Sequence, residues 1–337
     1  MIASDNTGRE AREAPPRRAV ERRSLASDKE ALIALLLLIA FNAAFTPNFL
    51  TLQTLNVNLT QVCAIVMVAV GMTFVIAAGG IDLSVGSLMA ISGTLAPMIF
   101  MGKILPLGNA KLAVAAAMVL AVGCAGLLGL FNGWLVATLK VQPIVATLVL
   151  FISGRGIAQV LTDGHLQSFR MPEFQWIGLG KIGGMPVQVL LMALIVAMAA
   201  WALRRTVFGR RVLAVGGNER ASELAGLPVR RTKLAVYAIS GLCAGLAGLV
   251  VIAINSASDA NLVGVGMELD AIAAVAVGGT SLRGGEARIL GTLLGALTIQ
   301  LVRYTLLANG VPDAVALIVK AAIIATAVWL QQTRKAT

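Results

Sequence analysis

Long runs of apolar residues, separated by short polar segments, extend over nearly the whole chain. An α-helix needs roughly 20 apolar residues to cross a bilayer. The shortest run, 269–281, is expected to be broken or partly re-entrant, with its non-helical backbone buried in protein or lining a cavity. The pattern predicts an all-α, polytopic helical membrane bundle of about ten transmembrane helices over residues 31–331. The ten apolar runs are 31–46, 58–78, 84–101, 112–137, 143–161, 187–203, 234–255, 269–281, 289–307 and 314–331.

The composition indicates a protein whose main solvent is lipid. Hydrophobic residues make up 58% of the 337 residues and charged residues only 13%, whereas soluble domains carry about 25% charged residues. The three cysteines lie inside apolar runs and form no C-x-x-C pair. We therefore interpret Cys63, Cys124 and Cys243 as small core side chains, not as a disulfide or zinc framework.

Most of the positive charge falls in segments that would share one side of the membrane. With the N-terminus placed inside, 20 of the 27 Lys and Arg residues lie in inside segments and four in outside loops. This bias marks the cytoplasmic side. We expect both termini in the cytoplasm, with residues 1–30 as a disordered N-terminal tail and 332–337 as a C-terminal tail. An arrangement of eight or nine spans stays open, because a short run could fail to cross.

Several classes of function are disfavoured by the sequence. The net charge of +11 is explained by topology and by contact with anionic lipid, and no basic face alternates with aromatic residues, so we expect no nucleic-acid partner. No G-x-x-x-x-G-K-[ST] sequence occurs, so the chain is not expected to hydrolyse ATP. The G-x-G-x-x-G match at 178–183 lies in a predicted outside loop without strand–helix context. We predict no catalytic residue, cofactor or metal site.

The predicted cytoplasmic loop 204–233 holds eight Lys and Arg residues within 30 positions. Glycines at 216 and 217 are expected to break any helix, after which Asn218 is a good N-cap and Glu219 suits the first turn. Gly226 and Pro228 then end a helix of about two turns. That helix carries a stripe of small apolar residues, which fits insertion into a groove of another protein. An ordinary basic loop is the alternative. The stripe consists of Ala221, Leu224 and Ala225.

Four motifs carry a resemblance to a known family. They are A-V-G-G-N-E-R-A-S-E-L-A-G-L-P-V-R-R-T-K at 214–233, G-M-T-F-V-I-A-A-G-G-I-D-L-S-V-G-S at 71–87, N-G-W-L-V-A-T-L-K-V-Q-P-I-V-A-T-L at 132–148 and A-V-G-G-T-S-L-R-G-G at 276–285. In this order they resemble the permease subunits of bacterial ABC sugar importers, in the ribose/galactose/xylose branch. The similarity covers residues 31–331. Within the branch, S-D-A-N at 258–261 and E-L-D-A-I at 268–272 are similar to the galactofuranose-type permeases.

The resemblance implies a role and a set of partners. Two permease subunits, either identical or related, would form a pore in the bacterial inner membrane. Two cytoplasmic ATPase subunits would dock on coupling helices and drive the import of a monosaccharide that a periplasmic binding protein delivers. By this resemblance the coupling helix covers 219–226, and the residues expected to contact the ATPase are Asn218, Glu219, Ala221, Leu224, Ala225 and Gly226.

Two glycine-rich segments share the frame GGxxLxxG, at 79–86 and 278–285. Both fall at the inner end of a predicted span, where glycine pairs permit close backbone approach and helix breaks. Gly79, Gly80 and Asp82 are therefore candidates for a gate or for a backbone-lined part of the pathway. In the alternative interpretation, the segment is a tight turn and Asp82 caps the next helix.

Further candidates for the translocation path are polar residues within or beside spans. A neutral sugar would be recognised by amides, hydroxyls and backbone groups, and charges inside spans are usually functional. Snorkelling of the charged side chains to the outer interface is the alternative. An ion-coupled secondary transporter and a membrane-embedded enzyme are the rival classes, although no nucleophile or metal constellation supports the enzyme. The candidates are Asn132, Gln142, Arg155, Asn261, Asp270 and Lys320.

Overall fold

The structure, a computed structural model, describes residues 17–333. Within this range nearly all regular structure is α-helical, as the sequence predicts. Four strands of two residues each form two small antiparallel pairs, β1 with β4 and β2 with β3. In chain order the elements are α1 (Arg17–Phe45), α2 (Leu52–Ala77), α3 (Val85–Phe100), α4 (Ala110–Ala137), α5 (Pro143–Leu161), β1 (Gln167–Ser168), α6 (Pro172–Leu179), β2 (Lys181–Ile182), β3 (Met185–Pro186), α7 (Val187–Arg205), α8 (Val207–Gly217), α9 (Glu219–Leu224), α10 (Val229–Asn255), β4 (Ala257–Ser258), α11 (Met267–Val277), α12 (Ile289–Ala308) and α13 (Asp313–Thr333).

Each of the ten predicted spans contains a helix, but the helices differ in length. Among residues 17–333, six helices are long and apolar enough to cross a membrane, namely α2, α4, α5, α7, α10 and α12. The apolar stretches of α1, α3 and α13 are shorter. Helix α11 has only 11 residues, which corresponds to about 16 Å, or roughly half of the hydrocarbon thickness. The predicted number of about ten transmembrane helices is therefore not confirmed, although the helical membrane class is, and the shortness of α11 agrees with the expectation that 269–281 is broken or partly re-entrant.

The first helix begins earlier than the predicted tail boundary. Helix α1 starts at Arg17, so the second half of the stretch predicted as disordered is helical. No Gly or Pro interrupts the sequence between Arg17 and Phe45, and a helix formed by the apolar residues can therefore continue toward the N-terminus. Residues 1–16 and 334–337, which include most of both predicted tails, lie outside the described residues, and the tail assignment stays a prediction there.

Helix α2 is the central helix of the bundle. Every residue from Val62 to Ala77 is buried, and α7, α10, α11 and α12 pack around this stretch. A helix that is apolar on all sides belongs in the interior, because no face of it needs water. The buried half of α2 therefore supports the turns that follow it at residues 78–84.

Small residues allow the helices to approach closely. Gly129 and Gly133 of α4 face α10, and a Cβ on Gly129 would lie 3.1 Å from the Cα atom of Gly241. In the same way, a Cβ on Gly295 of α12 would overlap the carbonyl oxygen of Ala274 in α11. Van der Waals contact between backbones, which drives helix association in lipid, thus replaces side-chain packing at these positions.

Helix α3 begins beside the middle of α10. Asp82, which precedes α3, accepts a 2.8 Å hydrogen bond from the hydroxyl of Ser240, a residue about 16 Å along α10 from its first residue. Further along α3, the hydroxyl of Ser92 donates to the carbonyl oxygen of Gly245 at 3.1 Å. The sequence predicts Asp82 at the inner end of a span. In the structure the turn 78–84 instead lies beside the middle of α10, deeper within the helical bundle.

Segments that were predicted to share a side of the membrane meet in the structure. Strands β1 and β4, both in predicted outside loops, pair with each other. Lys140, from the predicted inside loop between α4 and α5, forms ion pairs with Glu219 and Glu223 of α9. The alternation of sides along the chain thus agrees with the tertiary contacts.

Candidate functional site

The basic loop folds into two helices that meet at Asn218. Thr206 caps α8 by accepting a hydrogen bond from the backbone N–H of Gly209 at 3.2 Å. Asn218 caps α9, as predicted, because its side-chain oxygen accepts from the N–H of Ala221 at 2.9 Å. The expectation that the glycines break the helix was wrong in one respect, since Gly216 and Gly217 form the last turn of α8. The break follows them, where Asn218 leaves helical geometry.

Glu219 fixes α9 to the membrane helices. Its carboxylate accepts a 2.6 Å hydrogen bond from Lys233 of α10 and lies 3.3 Å from the ammonium group of Lys140. Burial raises the pKa of Glu219, but the hydrogen bond and charge of Lys233, followed by those of Lys140, outweigh it, so the pKa lies below its ordinary value. The pKa of Lys140 is raised, chiefly by its hydrogen bond to Glu223. The short helix is therefore anchored at its first turn.

The predicted apolar stripe of α9 is exposed. Leu224 is 84% exposed, and Ala221, Ala225 and Gly226 are also exposed. Ser222, which the sequence places beside the stripe, is only 5% exposed and faces the rest of the protein. Among the described residues nothing covers Leu224. Helix α9 therefore exposes an apolar side chain, while Glu219 and the buried Ser222 attach the helix to the rest of the protein.

Three backbone segments meet at Gly216, directly before α9. A Cβ on Gly216 would overlap the carbonyl oxygen of Ala77 at the end of α2, and it would lie 2.8 Å from the nitrogen of Gly285. Gly285 itself donates its N–H to the Ala77 carbonyl oxygen at 3.0 Å, and a Cβ on Gly284 would lie 3.0 Å from the Cα atom of Gly79. The two GGxxLxxG segments are therefore joined to each other and to α8 by backbone contact.

This junction was not predicted. The sequence shows the two related glycine frames, but its local pattern indicates only a helix break at Gly216 and Gly217. The signal that could have linked them is the occurrence of a Gly–Gly pair in all three segments, at 79–80, 216–217 and 284–285.

Asp82 is the centre of a buried hydrogen-bond network. Its Oδ1 atom accepts from the N–H of Ser84 at 3.0 Å and from the Ser84 hydroxyl at 2.6 Å, while Oδ2 accepts from Ser240. The side-chain amide of Asn132 on α4 donates to the Ser84 hydroxyl oxygen at 2.8 Å. Asp82, Ser84 and Asn132 are all fully buried. Two of the candidates, Asp82 and Asn132, are thus brought together, whereas Ser84 and Ser240 were missed.

Two polar atoms beside this network have no hydrogen-bond partner among the described residues. They are Oδ1 of Asn132 and the hydroxyl of Tyr237. Gly80 makes room for the tyrosine, because a Cβ on Gly80 would lie 2.5 Å from the Tyr237 hydroxyl oxygen. Unpaired buried polar groups are costly, so these two atoms leave hydrogen-bonding capacity beside the network.

A second polar cluster lies where α5 meets the loop between α10 and α11. The Arg155 guanidinium donates to the carbonyl oxygen of Ala260 at 2.8 Å, and the Gln159 amide donates to the side-chain oxygen of Asn261, also at 2.8 Å. Glu268 is buried, and its Oε2 atom has no hydrogen-bond partner among the described residues. The candidates Arg155 and Asn261 are therefore neighbours, in a cluster separate from Asp82.

The remaining candidates are Gln142, Asp270 and Lys320. Gln142 is exposed at the start of α5 and makes no capping hydrogen bond with its side chain. Asp270 is buried in the first turn of α11, close enough to Glu268 for charge repulsion. The backbone of Lys320 belongs to α13, but its side chain lies outside the described part of the chain. A cavity of about 400 Å³ between α1, α2 and α12 is lined mainly by leucines, and neither Gln142 nor Asp270 borders it.

Comparison with known proteins identifies the family. The family described as "Branched-chain amino acid transport system / permease component" matches residues 55–328. The ribose import permease protein RbsC of Escherichia coli K12 is 42% identical over 312 residues, which cover 91% of this chain and 94% of that protein. The galactofuranose transporter permease protein YtfT of the same strain is 39% identical, with coverages of 90% and 89%. The L-arabinose ABC transporter permease protein AraH of Azospirillum brasilense is 34% identical, with coverages of 90% and 87%.

The fold and these similarities define a helical transport permease of the inner-membrane type. More narrowly, the chain belongs to the family of sugar ABC importer permeases in the ribose/galactose branch. The predicted family is thereby confirmed, and the ion-coupled secondary transporter is not supported. Two short motifs suggested a stronger similarity to galactofuranose-type permeases. The sequence identities do not distinguish that type, since they are 42% to RbsC and 39% to YtfT.

Proposed function

We propose that this chain is the membrane subunit through which an ABC importer moves a ribose- or galactofuranose-like monosaccharide into the cytoplasm. ATP is hydrolysed by separate ATPase subunits that dock on α9. A periplasmic binding protein delivers the sugar, and a second permease, identical or related, completes the pore. The chain lies in the bacterial inner membrane, surrounded by lipid, with both termini in the cytoplasm.

The exposed Leu224 on the anchored helix α9 carries this proposal. A six-residue helix is too short to be stable alone, and here the Asn218 cap and the Glu219 ion pairs hold it in place. An apolar side chain exposed in this way suits a groove on a partner, since a few buried anchors supply most of the binding energy of an interface. The junction at Gly216 then connects any movement of α9 to the turns that follow α2 and α11.

The chemistry of the interior agrees with a neutral cargo. Both carboxylate oxygens of Asp82 already accept hydrogen bonds from hydroxyl or N–H groups of the protein, and the carboxylate is therefore not needed to bind a charged cargo. Side-chain amides, which bind sugar hydroxyls as both donors and acceptors, occur at the buried Asn132 and in the pair of the half-buried Gln159 with the exposed Asn261. The names of the relatives supply the sugars to be tried first.

The test is uptake into proteoliposomes that contain the permease, its co-purifying ATPase and the matching binding protein. Radiolabelled D-ribose, L-arabinose and D-galactofuranose are offered in turn. We expect uptake of one of these sugars that requires internal ATP and persists when ionophores dissipate ion gradients. Uptake that ionophores abolish and that proceeds without ATP would contradict the proposal.

A further inference from the structure

The first half of α2 carries amide side chains that the described part of the chain leaves uncovered. Gln53 and Gln61 are exposed, and Asn56 is half-buried. From Val62 onward the same helix is completely buried. The amide side chains of α2 are therefore confined to the part of the helix that does not pack inside the bundle.

Gln61 is joined to a second glutamine on α12. The side-chain amide of Gln300 donates a 2.6 Å hydrogen bond to Oε1 of Gln61. Gln61 lies about 13 Å along α2 from its first residue, and Gln300 lies about 16 Å along α12 from its first residue. Gln300 is only 3% exposed, whereas Gln61 is exposed at the protein surface. Both residues lie near the middle of helices that are long enough to cross a membrane.

Neighbouring groups extend this polar surface. Asn58 lies one turn before Gln61, and its buried Oδ1 atom has no hydrogen-bond partner among the described residues. Arg303, one turn beyond Gln300 on α12, is exposed. Polar side chains at membrane depth face the bundle interior or a water-filled cavity, because lipid offers them no hydrogen bonds. Leu52 and Leu55 on the same half of α2 are exposed as well, so the uncovered surface is mixed and the amides are its polar part.

We propose that Gln61 and Gln300 line the polar pathway along which the sugar crosses the membrane, on the face that a second permease closes. The inference rests on the proposed function and extends it to named residues. Each amide offers two N–H donors and a carbonyl acceptor, which match the hydroxyl groups of a neutral sugar without holding it by charge. The paired glutamines form one wall of the pathway, and the partner permease forms the opposite wall.

Cysteine accessibility in the assembled transporter tests this assignment. In a background with Cys63, Cys124 and Cys243 replaced by alanine, we compare Gln61→Cys with Val119→Cys. Val119 is 71% exposed on α4 and, like Gln61, is the tenth residue of its helix. A membrane-impermeant, hydrophilic methanethiosulfonate reagent should label Gln61→Cys on the order of tenfold faster or more, because the reactive thiolate forms in water and not in lipid.

Arg303→Cys serves as a second reporter on α12 if Gln61→Cys is poorly inserted, and it should also be labelled quickly. Reporters that react as slowly as Val119→Cys would overturn the inference. Sugar uptake by the unmodified complex is measured in parallel. Normal ATP-dependent uptake together with unreactive reporters refutes only the pathway assignment, whereas absent ATP-dependent uptake refutes the proposed function itself.

Discussion

Gly216 and Ala77 are in direct backbone contact, with no space for a Cβ between the last turn of α8 and the carbonyl oxygen at the end of α2. Gly216 lies three residues before the first residue of the short helix α9, and Ala77 precedes the turn that carries Asp82. Because this contact is between backbones, a movement of α8 toward α2 would displace the end of α2. The contact therefore offers a rigid connection from the proposed ATPase docking helix to the membrane interior.

Gly216→Ala should uncouple ATP hydrolysis from transport. The added methyl group overlaps Ala77 and forces the junction apart, at a cost of about 1–3 kcal/mol by comparison with overpacked cores. Sugar uptake should fall by roughly tenfold or more, which corresponds to 1.4 kcal/mol, while ATPase subunits still bind. Uptake and ATPase activity are measured in the same proteoliposomes.

Gly217→Ala is the matched control, because a Cβ at that position would meet nothing within 4 Å. It should keep wild-type uptake and wild-type ATPase activity. Equal effects of the two substitutions would mean that glycine is needed for backbone flexibility in α8 and not for contact with Ala77.

Leu224→Glu should detach the ATPase while leaving the permease folded. Leu224 is exposed in the isolated chain, so the substitution breaks no internal contact, but it would bury an unpaired charge in the docked interface. A loss of about 2.7 kcal/mol weakens association roughly a hundredfold. Co-purification of the ATPase and sugar uptake should decrease together, at unchanged amounts of permease in the membrane. Ala225→Glu should act in the same direction.

The control on the same helix is Glu223→Ala. Glu223 forms an exposed ion pair with Lys140, and such pairs contribute about 0–1 kcal/mol. Ser222 is unsuitable as a control because its side chain is buried. Normal ATPase binding by Leu224→Glu would show that α9 is not the docking helix.

Asp82→Asn should reduce transport more than it reduces the amount of folded protein. One oxygen becomes an NH₂ group, which cannot accept a hydrogen bond, and the network loses about 1–3 kcal/mol. The turn 78–84 is attached to α8 through Gly79, so loosening it also affects coupling. Uptake is compared with the folded fraction from fluorescence-detected gel filtration.

Ser240→Ala, which removes one donor to Asp82, should cost about 1 kcal/mol and act non-additively with Asp82→Asn. If uptake and folded protein decrease in parallel in both variants, Asp82 has the purely structural capping role that its hydrogen bonds to Ser84 also permit.

Surface labelling should place β1 and α9 on opposite sides of the membrane. Ser168 and Leu224 are exposed, whereas Gln167 and Ser222, their neighbours, are too buried for the purpose. In intact cells, an impermeant maleimide should label Ser168→Cys and not Leu224→Cys, and lysis should make both reactive. Labelling of both from outside would contradict the positive-inside assignment on which the topology depends.

Much of the fold class follows from the sequence, because the bilayer imposes length and polarity on each segment. The apolar runs contain the helices α1 to α5, α7 and α10 to α13, and the distribution of Lys and Arg separates the segments that later meet on each side. Asn218 acts as a helix cap as expected, since capping depends on neighbouring residues alone. The stripe on α9 also depends on neighbouring residues alone, because residues three and four positions apart share one face of a helix. Ala221, Leu224 and Ala225 are all exposed.

Contacts between distant segments could be decided only by the tertiary structure. Asp82 and Ser240 are 158 positions apart, and nothing in the local pattern indicates that α3 starts beside the middle of α10. Gly216 was interpreted as a helix break, because a glycine pair has the same local effect whether or not another backbone approaches it. Gln61 and Gln300 lie within apolar runs whose average hides single polar residues. Sequence patterning determines which residues form helices and which side of the membrane the loops favour. The packing of those helices decides which glycines touch, which carboxylate is enclosed and which amides remain uncovered, since these depend on residues far apart in the chain.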